Sequence, residues 1–68
     1  MNEEGMAGYI CECNVRGIGR KLSQDIVAKF GRKTFDVILN DWKRLMDVDN
    51  VEQFAHDFYF NFLLIHNL

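Results

Sequence analysis

The residues best placed to do chemistry form one short run, Val-Arg-Gly-Ile-Gly-Arg-Lys at positions 15–21. Gly17 and Gly19 let the backbone turn tightly and approach a ligand closely. If a helix opens at Arg20, the amides of Gly19, Arg20 and Lys21 lie among its unsatisfied first donors. The helix dipole places partial positive charge at the same point. Arg16, Arg20 and Lys21 add full charges around it, and Ile18 can plug the space between flanking helices. This chemistry suits a phosphate. It offers no donor and acceptor pattern matched to base edges, so it would position a nucleic-acid backbone without reading its sequence.

Two better-known phosphate devices do not fit. A P-loop ends in Gly-Lys-Ser/Thr after a strand, whereas this run continues Gly-Arg-Lys-Leu-Ser. A dinucleotide fingerprint needs a third glycine and a βαβ unit. The structural alternative is that Gly-Ile-Gly is only a tight connector between two helices.

Other reactive side chains are scattered. Cys11 and Cys13 are separated by one residue, and a bridge between them would close almost no loop. They read as reduced thiols of a cytoplasmic protein. They lack the second ligand pair of a zinc site, since His56 and His66 repeat no finger spacing. His56 beside Asp57 points away from it on a helix, and no nucleophile accompanies them. Asp47, Asp49 and Glu52 do not follow the spacing of a calcium loop. Trp42 and the phenylalanines read as core, not as base-stacking platforms. The sequence therefore predicts no catalytic residue, metal or cofactor.

Charge supports a local anion site. The 68 residues carry a net charge of -2, which argues against general affinity for nucleic acid. Residues 16–33 nevertheless hold Arg16, Arg20, Lys21, Lys29, Arg32 and Lys33 against Asp25 alone, while both flanking segments are acidic. Lys29, Arg32 and Lys33 are candidate supporting cations. The acidic start lacks the basic region of a signal peptide. The apolar stretch Phe-Tyr-Phe-Asn-Phe-Leu-Leu-Ile is far shorter than the ~20 residues that span a bilayer.

The elements that must hold this run are helical by pattern. There is no proline, and hydrophobic residues make up 49% of the chain, so a packed, helix-rich domain is expected. Residues 1–7 read as a flexible tail. From Gly8 to Val15, Tyr9, Ile10 and Cys13 fall near one helical face, although strand alternation also fits. Leu22, Ile26, Val27 and Phe30 make an apolar stripe from Arg20 to Phe30, with Gly31 as a C-terminal stop. Thr34 is a candidate N-cap for a helix whose stripe is Phe35, Ile38, Leu39, Trp42, Leu45 and Met46. Asn40-Asp41 should break that helix, with Asp41 capping the next. Residues 47–50 form a turn. A last helix runs from Val51 or Glu52 to about Asn67, with Phe54, Phe58, Phe62 and Ile65 on one face. Tyr59, Phe60, Leu63 and Leu64 make it apolar nearly all round, so it needs cover on several sides.

A weak internal echo pairs Val15 with Val48, Gly17 with Asn50, Ile18 with Val51 and Gly19 with Glu52. Each side reads as helix end, turn, apolar residue, helix. The stretch Gly-Ile-Gly-Arg-Lys-Leu-Ser-Gln-Asp-Ile-Val-Ala-Lys-Phe-Gly, with Thr-Phe-Asp-Val-Ile and Arg-Leu-Met-Asp-Val after it, resembles the tandem helix-hairpin-helix region of RecD-like ATP-dependent DNA helicases, the long-form and TraA-like members. The resemblance runs from about Tyr9 to Val51. The family usually has Pro or Lys after the second glycine, Asp-Pro near the helix break and Gly-Ile-Gly in its second hairpin. Here Arg20, Asp41-Trp42 and Asn50-Val51-Glu52 stand instead.

The resemblance implies an all-α domain of four to five short helices over residues 8–68, a tandem helix-hairpin-helix unit. Its first hairpin is 15–21, and its second, 48–52, has degenerated. It implies binding to single- or double-stranded DNA without sequence preference, through Arg16, Gly17, Ile18, Gly19, Arg20 and Lys21. It also implies a place in a helicase of DNA repair or recombination, whose ATP-driven motor domains lie outside these residues. The apolar last helix supports a different expectation, a protein-interaction or homo-oligomerisation module.

Overall fold

The first helix begins earlier than its pattern predicts. In the computed structural model, which describes residues 2–13 and 18–66, α1 spans Glu3–Glu12. The Asn2 side chain accepts the Gly5 N–H at 2.7 Å, and Glu3 and Glu4 sit at the positive end of the dipole. Met6, Ala7 and Ile10 are buried. The expected tail over 1–7 is thus corrected: from Glu3 onward it is helix, because the cap and two buried side chains outweigh the low apolar content of its start. The Cys13 N–H donates to the Tyr9 and Ile10 carbonyls, both at 3.1 Å, and closes the helix.

The second helix, α2, spans Arg20–Phe30, matching its stripe. Ile26, Val27 and Phe30 are buried, and Leu22 packs against the same core. Gly31 ends it with φ 58°, and its N–H donates to the Val27 carbonyl. A 3-10 turn over Gly31–Lys33 leads into α3, Thr34–Asn40. Thr34 does not cap α3 as expected. It lies inside the first turn, fully buried, and its hydroxyl donates back to the Gly31 carbonyl. The intervening 3-10 turn moves the cap position to Lys33, which makes no side-chain cap bond.

The break at Asp41 is present, with φ -153° and ψ 46°. The chain then winds into a 3-10 helix, Trp42–Asp47, and Asp41 gives it no side-chain cap. Three residues per turn explain why Met46 leaves the expected stripe and is 54% exposed. Leu45, on the same expected stripe, is fully buried. Asn50 turns the chain at φ 68° between buried Val48 and Val51. A 3-10 turn, Glu52–Phe54, then opens into α4, Ala55–His66.

The core joins α1, α2, α3 and α4 around Ile10, Ile26, Ile38, Leu45, Val51, Phe58 and Phe62, all fully buried. Edge-to-face rings of Tyr9 against Phe35 (5.6 Å) and Phe62 (6.3 Å) tie α1 to α3 and α4. Trp42 stacks on Tyr59 at 5.6 Å, which packs its ring against the core and takes one of its faces. Ile65 does not share the buried face of Phe58 and Phe62. It borders a shallow surface hollow with Tyr9, Glu12 and Cys13, and is 45% exposed. The Cα radius of gyration, 10.3 Å, is close to the ~11 Å of a folded chain this long. Among the described residues there is no strand, and no helix is long and apolar enough to cross a membrane.

Candidate nucleic-acid interface

The site is built on the start of α2. Ile18 is buried and anchors the entering chain, while Gly19 is exposed and extended (φ -100°, ψ -161°) at the N-cap. The Gly19 carbonyl accepts two bonds from Ser23, from its N–H at 3.0 Å and its hydroxyl at 2.8 Å. This pair of bonds fixes the first turn from below. Among the described residues no side chain caps the amides of the turn. A Cβ built on Gly19 would meet nothing within 4 Å among the described residues, so there is room for a side chain at this position.

The charges at this helix start are unlike those of α1. There an asparagine cap and two glutamates satisfy the donors and the dipole. On α2 no acidic residue lies in the first turn, and Arg20 and Lys21, both exposed, bring cations to the positive pole. That choice opposes the helix by a few tenths to about 1 kcal/mol per charge. The Lys21 ammonium is drawn along the helix flank to Asp25, 2.9 Å from both carboxylate oxygens. Both groups are on the surface, where such a pair holds weakly.

Not all the expected site residues come together. Gly19, Arg20 and Lys21 share the corner, and Ile18 supports it from the core. Arg16 and Gly17 lie outside the described residues. Lys29 stands nine residues beyond Arg20, about 14 Å along the axis and about half a turn round it. Arg32 and Lys33 are exposed past the end of α2. These three form a second basic group at the opposite pole of the helix. Arg44 joins that end, its guanidinium 5.4 Å from the centre of the Phe30 ring.

Sequence reasoning misses two side chains bonded at this corner, Ser23 and Asp25, and the Arg44 contact at the opposite end of α2. Ser23 and Asp25 each sit four residues after their partner, a spacing visible in the chain. Arg44 reaches Phe30 only through the fold. The thiols offer no rival chemistry at this corner. Burial pushes the Cys13 thiol up from its ordinary value, the Glu12 carboxylate adding to the effect, so at neutral pH it is a protonated, weakly reactive group. His56 is exposed, edge-on to Trp42, with its Nδ1 3.9 Å from Asp57. Among the described residues no three His, Cys, Asp or Glu side chains are placed to hold a metal ion.

No family model, no curated protein and no solved structure matches this chain.

Proposed function

We propose that this domain binds the phosphate backbone of DNA, without sequence preference, through the start of α2. One observation carries the reading: a helix N-terminus that no described side chain caps, with room beside Gly19, bears two cations where the helix itself favours anions. Local choices that oppose stability are expected at functional positions. The proposed contact is made by the Arg20, Lys21 and Leu22 amides, with the Arg20 and Lys21 side chains on either flank and Gly19 allowing close approach. Arg16 and Gly17 complete the hairpin in this reading.

In this reading the start of α2 belongs to a helix-hairpin-helix unit whose apolar plug is Ile18, which is buried. The same reading makes Val51, fully buried, the equivalent plug of a second unit. That unit has Asn50 at positive φ and Glu52 at its helix start, which repels phosphate, so it serves packing alone. In the wider proposal the domain is part of a RecD-like helicase whose motor lies elsewhere. One hairpin touches few phosphates, and useful affinity then depends on neighbouring domains that raise the effective concentration.

Titration with a short duplex and with a single strand, at several salt concentrations, tests this. Neutralising two phosphates on duplex gives a slope of log affinity on log salt of about -2. The Arg20→Glu/Lys21→Glu variant should stay folded and lose binding. A wild-type chain that binds neither strand at low salt overturns the proposal. A second reading, an interaction module, draws on the outer face of α4, where Phe60 and Leu64 are about half exposed one turn apart. A stable dimer in sedimentation, with no DNA affinity, would favour it.

A further inference from the structure

Beside the DNA-binding corner lies a groove of about 390 Å³ between α1 and α2. Each helix contributes the same register to it. Glu4, Gly8, Cys11 and Glu12 come from α1; Arg20, Gln24, Val27 and Ala28 come from α2. The floor is small and apolar, made by Ala7, Gly8, Val27 and Ala28. One wall is acidic, with Glu3, Glu4 and Glu12 along the full length of α1 and no basic residue in its last turn.

Gly8 is the telling residue. It sits in the middle of α1, where glycine weakens a helix relative to alanine. Nothing among the described residues calls for it: it is exposed, and a Cβ placed there would meet none of them within 4 Å. A mid-helix glycine without an internal neighbour fits a surface that another backbone approaches closely.

We infer that this groove docks an amphipathic helix of a partner protein, with small or aliphatic residues on the face laid against Gly8 and Ala28 and lysines or arginines turned toward Glu3, Glu4 and Glu12. Two helices whose facing residues are truncated make a trough in which a third helix can lie, anchored at i, i+3/i+4 and i+7. The acidic wall selects a basic occupant by charge and would discourage phosphate from entering, so the groove and the α2 corner take different ligands. Arg20 marks the boundary between them. The inference stands independently of DNA binding.

The test uses a helical peptide of about five turns, built of alanine, leucine and lysine with the apolar residues on one stripe, and a scrambled peptide of the same composition. Binding to the full chain is followed by backbone amide shifts at two salt concentrations. The striped peptide should shift Ala7, Gly8, Cys11, Gln24 and Ala28, more weakly at high salt, and the scrambled one should not. Gly8→Leu fills the groove without an internal clash and should weaken binding at least tenfold while leaving DNA affinity unchanged. Glu4→Lys/Glu12→Lys reverses two exposed charges and should likewise weaken peptide binding at least tenfold, while raising DNA affinity if it changes it at all, which keeps the test decisive if Gly8→Leu folds poorly. Equal binding of both peptides, shifts centred on Phe60 and Leu64, or full affinity in the variants would each overturn the assignment.

Discussion

Replacing Gly19 by Asp sets stability against DNA binding in one position. Gly19 is the uncapped N-cap of α2, in ordinary extended backbone, with open space where a side chain would go. An aspartate there can accept an amide of the first turn and complement the dipole. Capping contributes a few tenths of a kcal/mol over glycine, and the charge contributes about 0.3–1 kcal/mol. The variant should therefore be more stable by roughly 0.5–1 kcal/mol, or about 4 °C in melting temperature for a domain this small. The same carboxylate would occupy the position proposed for phosphate. Two like charges about 4 Å apart repel by about 1 kcal/mol in water and about 4 kcal/mol near a protein surface. DNA affinity should fall at least tenfold. Gly19→Asn supplies the cap without the charge and should fall between the two. Urea melts and fluorescence anisotropy with labelled duplex, on the same samples, read both effects. A Gly19→Asp chain that is stabilised yet binds DNA as tightly as wild type would refute the assignment of the amides as the contact.

Removing the tether on Lys21 should act the other way: Asp25→Asn frees an ammonium now 2.9 Å from both carboxylate oxygens, raising duplex affinity about two- to fivefold with a stability change under about 0.5 kcal/mol. Gly31 and Gly8 should respond to alanine with opposite signs. Gly31→Ala places a side chain at φ 58° and should cost about 1–3 kcal/mol from backbone strain alone, whereas Gly8→Ala should stabilise by about 1 kcal/mol; urea midpoints check both. In a Cys11→Ser chain, alkylation of Cys13 should titrate above the value for an unfolded cysteine, and denaturant should remove the difference. Because the native thiol holds its proton to higher pH than the unfolded one, stability should decline as pH rises from the unfolded value toward the native one. Cys13→Ser should flatten that slope.

Legibility in the sequence divides along physical lines. Local information suffices wherever neighbours along the chain decide the outcome. The apolar stripe of α2, the stop at Gly31, the break at Asp41 and the turn before Val51 are all readable, because each depends on periodicity or on one residue's backbone freedom. So is the coincidence of glycine, a helix start and cations at Gly19–Lys21, since they are consecutive. The capped start of α1 is encoded in Asn-Glu-Glu but masked by a low apolar content. The rest needs the fold. Thr34 turns inward because a 3-10 turn shifts the register of α3. Met46 leaves the stripe that Leu45 keeps because the segment winds at three residues per turn. Ile65 lies open because the core ends before α4 does. The distance that separates Lys29, Arg32 and Lys33 from Gly19, and the groove that brings Gly8 beside Ala28, exist only once two helices are laid together. Charge and periodicity are properties of the chain in order, whereas which surfaces stay uncovered is settled by how the helices pack.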